Sequence, residues 1–344
     1  MNAELLKDIH PELTYLINKY VDVASSHSKV MMTTTSFNIL NFELNSVQSV
    51  INLKKINDIR FVNKFQEAIN EKLPMGGIYI GCVETHDQRS LRIKRKFPPV
   101  IAQFYHAGDF IFKRVWPKLP FFKKIYFFLT DGRNRAMSKA EALGRLCSCG
   151  FRILEIKEIN NKLYFVGQKD KAPVYDLNPS YGPLFAMRRI GKDGKIINVY
   201  KFRTMYPYAE YLQEYIYETN NLTEGGKFAD DFRITNWGKF LRKCWLDELP
   251  MLINLLKGDI KIVGVRPLSK HYYSLYTKEL QEKRNDSKPG LLPPFYVDMP
   301  KTLEEIINSE MKYLKEYEKA PLKTDFQYFW AILNNIFIKK ARSN

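Results

Sequence analysis

No stretch of this sequence is long and apolar enough to cross a bilayer as a helix. The longest strongly apolar run without a charge is Phe97 to Gly108, twelve residues that include two prolines, against the roughly 20 a spanning helix needs. The N-terminus, Met1 to Tyr20, mixes Glu4, Lys7, Asp8 and Glu12 among its apolar residues and so has neither the basic start nor the apolar core of a signal peptide; secretion by that route is not expected. Cysteine is scarce. Cys82, Cys147, Cys149 and Cys244 show no paired metal-ligand spacing, and Cys147-Ser-Cys149 is one residue short of a C-x-x-C, so reduced thiols in a cytosolic compartment are expected. No G-x-G cluster stands before Gly76, which excludes a glycine-rich cofactor turn in the first part of the chain.

Acid is also in short supply. Against 54 lysines and arginines there are 37 aspartates and glutamates, a formal charge of +17. Nucleic acid, an anionic membrane surface and a phosphorylated substrate are the three partner classes that such a charge fits, but no recognisable nucleic-acid module accompanies it, and none is expected as a partner. With 45% hydrophobic and 14% aromatic residues and 344 residues in all, the chain has the composition of a folded protein of two domains, at about 100–200 residues per domain.

Residues 1–30 read as helix, with Leu5, Ile9, Leu13, Leu16 and Ile17 at helical spacing. A short strand is expected over Ser49 to Leu53, an amphipathic helix over Ile59 to Lys72, a turn at Pro74-Met75-Gly76-Gly77 and a buried strand from Ile78 to Val83. Ser138-Lys139-Ala140-Glu141 has the form of a capping box opening a helix through Leu146. Strands Phe151 to Lys157 and Lys162 to Gln168 follow, joined at Ile159-Asn160-Asn161 by a hairpin. This order resembles the C-terminal half of a class I methyltransferase-like Rossmann domain without its cofactor glycine turn. The segment 97–128 interleaves Phe104, Tyr105, Phe110, Trp116, Phe121 and Phe128 with Lys113, Arg114, Lys118, Lys123 and Lys124; it suits either a membrane interface or a helical lid on the domain core.

The chemistry-bearing motifs lie further on. Val199 to Met205 reads as a strand that places Lys201 and Arg203 on one face. Arg233 follows in Asp230-Asp231-Phe232-Arg233, and Arg242 in Trp237 to Lys243. Asp247-Glu248-Leu249-Pro250 precedes Met251 to Leu256, where Leu249, Leu252, Ile253 and Leu256 predict a short helix with one buried stripe and both carboxylates at its N-terminus. The pair fits an ordinary helix cap, a Mg²⁺ ligand pair or a nucleophile toward phosphorus. Ile260 to Pro267 reads as a strand whose turn presents Arg266, a guanidinium suited to phosphate oxygens. Thr302 to Asn344 reads as two helices, with Trp330, Leu333, Ile336 and Phe337 near the basic end Lys339 to Arg342.

Taken in order, Gly182-Pro183, Arg189-Ile190-Gly191, Lys201-Phe202-Arg203-Thr204-Met205, Arg233-Ile234-Thr235, Gly238 to Lys243, Leu246 to Pro250, Asn254, Lys257-Gly258-Asp259, Val263-Gly264 and Arg266-Pro267 resemble the bacterial sugar transferase family. These are the monotopic phosphoglycosyl transferases, and the resemblance spans about 178–290. It implies that Asp247 attacks the phosphorus bearing the sugar of a UDP-sugar, that Glu248 coordinates Mg²⁺ with it, and that Lys201, Arg203, Arg233, Arg242 and Arg266 bind substrate. A polyprenyl phosphate then takes the sugar phosphate, which starts exopolysaccharide or O-antigen-type glycans at the cytosolic face of a bacterial inner membrane. The chain departs from the family in three ways: a hairpin and charged link stand where the re-entrant membrane helix usually lies, Val265 replaces a proline, and Leu291 to Tyr296 replaces a threonine-glycine-tryptophan-like run.

The expected architecture is thus α/β: a methyltransferase-like domain over 1–170 with its insert at 97–128, an α+β transferase core over 173–300, and C-terminal helices over 301–344. Homodimers or glycan-assembly partners are compatible with it. A non-catalytic scaffold and an S-adenosylmethionine-dependent methyltransferase are the alternative functions.

Overall fold

The computed structural model describes residues 5–6, 9–175, 181–219 and 231–337. The segment 176–180, part of the stretch around Asp230 and the basic end Lys339 to Arg342 lie outside the described residues. By internal contacts the described residues form two compact units, one of those up to 181 with 206–219 and 231–233, the other of 182–205 and 234–337.

The first unit is built on a five-stranded mixed sheet in the order β1-β2-β3-β5-β4. Strands β1 (Ser28–Met31), β2 (Ser49–Lys55) and β3 (Ile78–Val83) run parallel. Strand β5 (Lys162–Lys169) is antiparallel to both β3 and β4 (Phe151–Ile159) and lies between them. The hairpin anticipated at Asn160-Asn161 forms with both asparagines at positive φ, 47° and 57°, the backbone a two-residue hairpin of matching twist requires. Val30, Ile51, Ile80 and Val166 are successive register partners across four strands. All four are buried in one cluster with Leu13, Leu16 and Ile17 of α1 (Pro11–Tyr20), so a single helical stripe covers one rung of the sheet.

The long opening helix is shorter than its periodicity suggests. It ends at Tyr20, because Val21 turns extended and the following Ser25 to Ser28 run favours local side-chain bonding over helix; Ser28 already belongs to β1. The second expected helix is α2 (Val62–Lys72), shortened because Ile59 is extended and Phe61, with φ of −116° and ψ of 72°, is not yet helical. After β3 come α3 (His86–Lys96), with a complete Thr85–Gln88 capping box, then α4 (Pro99–Phe110), a π-helical turn, a 3-10 turn and α5 (Pro120–Thr130). Helix α6 (Lys139–Ser148) starts at Ser138, whose side chain accepts from the Glu141 amide.

The first unit also takes in residues 206–219, which follow the transferase strand in sequence. Gly144 permits this, since a Cβ there would stand 2.3 Å from the Tyr208 carbonyl oxygen. Beneath it, burial alone would raise the Glu141 carboxyl, yet the charges of Arg114, Lys118 and Arg145 hold it well below the usual carboxylate range.

In the second unit, β6 (Leu184–Ile190) and β7 (Ile196–Phe202) form an antiparallel hairpin, and β8 (Lys261–Val263) pairs in parallel with β9 (Gly290–Leu292). Helix α7 (Asn236–Lys243) precedes a 3-10 turn, Leu246–Glu248, and α8 (Met251–Leu256). Helix α9 (Lys278–Asn285) follows, and α10 (Leu303–Lys319) and α11 (Pro321–Phe337) end the described chain. Tyr313, Leu314, Tyr328 and Ile332 pack with Val263, Val265 and Leu280, so the two tail helices are part of this core. Val199, Met251 and Ile260 form a second cluster under the hairpin.

Candidate functional site

Asn254 sets the geometry of the second unit's carboxylate pair. Its side chain, fully buried on α8, donates to the Asn198 carbonyl at 2.7 Å and to Asp259 at 3.1 Å, and accepts from the Tyr200 amide at 3.0 Å. An amide side chain can satisfy a strand's donor and acceptor together, and here it clips α8 onto β7. Lys201, the next residue on that strand, then reaches Glu248 with 2.5 Å between Nζ and Oε1.

A second close approach brings in Arg242. Thr235 caps α7 by accepting from the Gly238 amide at 2.7 Å, and its own amide donates to the Thr204 carbonyl at 2.9 Å. Gly238 leaves no room for a side chain, since a Cβ there would lie 2.0 Å from the Thr204 carbonyl oxygen. The helix therefore sits against the end of the strand, where Arg242 Nε donates to the Thr204 hydroxyl at 3.0 Å. Between α7 and the carboxylates, Trp245 adopts a left-handed backbone with φ of 61°, its ring packed on Tyr296 at 4.6 Å. A non-glycine residue in that region carries strain, and it turns the chain so that Asp247 and Glu248 follow in a 3-10 turn just before α8.

Asp247 is half-buried, and its carboxyl is pushed above the usual aspartate value by burial and by the adjacent Glu248 charge, with Lys201 and Arg242 acting in the opposite sense. Burial with a like charge offsets the ionised state that a helix start would favour. The site thus holds two carboxylates and two cations in one neighbourhood.

The expected buried stripe is on the outside. Leu249, Leu252, Ile253 and Leu256 are 52%, 43%, 41% and 89% exposed, while Met251 and Asn254 face inward. The physical reason is that the helix is held by Asn254 and Met251, one step round from the apolar row. Trp237 and Phe240 of α7 are exposed as well, stacked at 5.3 Å between centroids. Asp247 and Glu248 therefore lie in sequence between two helices that each present apolar side chains to solvent.

The remaining candidates are placed differently. Arg203, one residue past β7, donates to the Gly182 carbonyl at 3.0 Å and covers the Phe185 ring. Arg266 is exposed after β8, close enough to Arg189 that its charge, after burial, lowers the Arg189 guanidinium. Arg233 belongs to the first unit, is 4% exposed, and is held by Asp231 and by Gln213 at 2.7 Å. Two residues outside the candidate set support Arg266. Arg284, buried and paired with Glu310, donates to the Arg266 carbonyl at 2.5 Å; the two lie on different helices, so no local pattern in the sequence links them. Among the described residues, no group of three or more metal-ligating side chains occurs, and no helix is long and apolar enough to cross a membrane.

Comparison with known proteins shows what this half of the chain is similar to. The model of the bacterial sugar transferases matches residues 174–339. Over that stretch, just under half of its length, the chain is similar to the bacterial sugar transferases. Galactosyl transferase CpsE of Streptococcus agalactiae serotype III is 36% identical over 40% of this chain and 31% of its own length. Undecaprenyl-phosphate galactose phosphotransferase of Salmonella typhimurium is 32% identical over 34% of this chain and 26% of its own length. The chain thus matches about a third or less of each of these two relatives. Among solved structures, a putative methyltransferase in complex with the Haloferax volcanii Trm112 methyltransferase activator is 13% identical over 47% of this chain and 69% of that chain, with a TM-score of 0.26.

Proposed function

We propose that this chain is a phosphoglycosyl transferase, which moves a sugar 1-phosphate from a UDP-sugar to a polyprenyl phosphate and releases UMP. The observation that carries the reading is the half-buried Asp247 beside Glu248, Lys201 and Arg242, set between apolar helix faces open to solvent. A carboxylate is a weak nucleophile, so it needs a place where charge developing on phosphorus is already compensated.

In the proposed sequence, an Asp247 carboxylate oxygen attacks the phosphorus that bears the sugar. The bond from that phosphorus to the bridging oxygen breaks, and UMP leaves with the electron pair. Lys201 and Arg242 neutralise the charge passing through the phosphoryl group, and Arg203 and Arg266 bind the nucleotide diphosphate. A phosphate oxygen of the polyprenyl acceptor then attacks the same phosphorus and returns the carboxylate of Asp247. Arg233, given its buried pairing with Asp231, acts by fixing the segment it belongs to.

The residues fit a divalent cation. Burial and the adjacent Glu248 charge together raise Asp247, a destabilised anion that a cation relieves, and Mg²⁺ characteristically takes one or two carboxylates with substrate phosphate oxygens and water. Asp247 and Glu248 would hold it, and it would supply charge compensation to the diphosphate.

The undecaprenyl phosphate in the Salmonella relative's name supports a lipid-linked sugar product; for this chain we assign that product to exopolysaccharide or O-antigen-type glycans and the reaction to the cytosolic face of the inner membrane. The apolar rows of α7 and α8 suit contact with a lipid acceptor there. For the first unit we favour a cofactor-free derivative of a methyltransferase-like domain. An open α/β sheet takes its ligand beyond the carboxyl ends of its strands, and after β2 and β3 that region holds the buried Glu84, bound by Lys55 at 3.3 Å and Arg92 at 2.5 Å.

A panel of UDP-sugars with polyprenyl phosphate, read by UMP release, tests the function. At least one sugar should support release by the wild type and none by Asp247→Asn. Full activity in Asp247→Asn removes the proposed mechanism, and a wild type inert with every donor favours the non-catalytic scaffold.

A further inference from the structure

We infer that the outward face of the helical insert in the first unit is a docking surface for an anionic lipid bilayer. The inference concerns the first unit alone and does not rest on the transferase reading.

Helix α4 has two different sides. Ala102 is buried, the His106 ring meets the His86 ring at 5.2 Å, and Asp109 takes a two-point ion pair from Arg89 at 2.6 Å on each oxygen. These positions, at i, i+4 and i+7, fix the inner side. On the other side Val100, Phe104, Ala107, Gly108 and Ile111 recur at helical spacing with no charge among them, and all are exposed. Phe104 is 78% exposed.

Helix α5 repeats the division. Tyr126 is buried and donates to the Arg133 carbonyl at 2.6 Å, while Phe121 and Phe128, seven residues apart, are 70% and 88% exposed, with Leu129 beside them. A lone exposed phenylalanine needs no explanation, but two apolar rows on consecutive helices mark a surface that something covers.

The charge says what covers it. From Lys94 to Phe128 there are eight lysines and arginines and one acid, Asp109, and Arg89 consumes that acid. Lys94, Arg95 and Lys96 end α3, and Lys123 and Lys124 stand on α5 within the apolar row, all exposed. A second copy of the chain would bring the same positive charge to the same face, which disfavours self-association. An anionic bilayer offers the complement: headgroups for the cations and an acyl boundary for the rings. Helices α4 and α5, of twelve and eleven residues, are too short to span and the right kind to lie in the interface.

The test uses the full chain with vesicles of neutral phosphatidylcholine and of the same lipid with phosphatidylglycerol, read by co-sedimentation. The wild type should bind the anionic vesicles at least tenfold better than the neutral ones. Changing Phe104, Phe121 and Phe128 together to serine should lower binding to anionic vesicles at least tenfold, and Leu322→Ser, at an 88% exposed position on α11, should leave it unchanged. Changing the five exposed cations to glutamine should remove the preference for anionic lipid. Because all these side chains are exposed, thermal midpoints should match the wild type. UMP release measured in detergent with a dispersed lipid phosphate separates the two readings: the triple variant should retain it if the transferase reading holds, and docking stands on its own if no variant shows it. Wild-type-like sedimentation of the triple variant overturns the proposal, as does a triple variant that loses only self-association.

Discussion

Lys201 Nζ and Glu248 Oε1 lie 2.5 Å apart, and each side chain is 17% exposed. The pair joins the end of strand β7 to the turn that carries Asp247. Its consequence is electrostatic: Lys201 offsets part of what burial and Glu248 do to Asp247.

Replacing Lys201 by methionine should therefore raise the Asp247 carboxyl further, since Glu248 would lose its partner and Asp247 the larger of its two opposing charge effects. The acid limb of UMP release against pH should move to higher pH, and the rate on its plateau should fall by about 100-fold, the scale of one lost electrostatic stabiliser. Steady-state rates across pH 4 to 9, an assay range of about five units, check both effects.

In the wild type the same limb should already lie above that of an ordinary aspartate. The Asp247 value is raised, so the ionised nucleophile is lost as pH falls through a point higher than the usual ~3.9. For folding the sign is opposite. A raised folded-state value means that the stability gained by protonating Asp247 is fully present below its unfolded value and is lost as pH rises through its folded one. Asp247→Asn should thus be at least as stable as the wild type near neutrality by urea denaturation, while inactive.

Asn254→Ala removes a fully buried clip and leaves the Tyr200 amide and the Asn198 carbonyl unpaired. About 2–4 kcal/mol of stability should be lost, since a buried unsatisfied group costs ~1–3 kcal/mol. Asn254→Asp should recover only part of this, because a carboxylate accepts from Tyr200 but has nothing to donate to Asn198. Urea denaturation of the two variants measures the difference.

Gly238→Ala places a Cβ 2.0 Å from the Thr204 carbonyl oxygen. The helix must move from the strand end or the carbonyl must turn, and either shift carries Arg242 away from its bond to Thr204. A loss of about 1–3 kcal/mol is expected from overpacking, with lower turnover. Ala107→Gly in the exposed row of α4, a control for generic helix weakening, should leave turnover unchanged.

The exposed row of α8 should matter for the lipid substrate alone. Leu252→Ser with Leu256→Ser should raise KM for polyprenyl phosphate and leave KM for the UDP-sugar near its wild-type value. These side chains make no core contact worth defending, at 43% and 89% exposure, so the thermal midpoint should hold. Kinetics with each substrate varied in turn separate the two constants.

Much of the candidate site's geometry was legible because its motifs are local. Asp247-Glu248, Lys201, Arg242 and the Thr235–Gly238 start of α7 are short motifs in order, and the structure brings the carboxylates, Lys201 and Arg242 together. Four of the five strands of the first unit were legible for a similar reason, since composition and the Asn160-Asn161 turn fix them one by one; β1 was not, because Ser28 to Val30 fell within the stretch that read as helix. What stayed hidden depends on distant partners. Periodicity identifies a face but not its environment, so the row from Leu249 to Leu256 read as core although Asn254 and Met251 turn it outward. The Arg284–Glu310 pair beneath Arg266 spans 26 residues, and the return of residues 206–219 to the first unit rests on the absence of a side chain at Gly144. Neither leaves a local signal.

The most direct test of the central claim is to incubate the chain with a UDP-sugar labelled with ³²P in the phosphate next to the sugar, without lipid acceptor, quench in acid and map the label by peptide. The account predicts label on the peptide containing Asp247, released on adding polyprenyl phosphate and absent in Asp247→Asn. UMP production from a protein that carries no label under these conditions, or label that persists in Asp247→Asn, contradicts it.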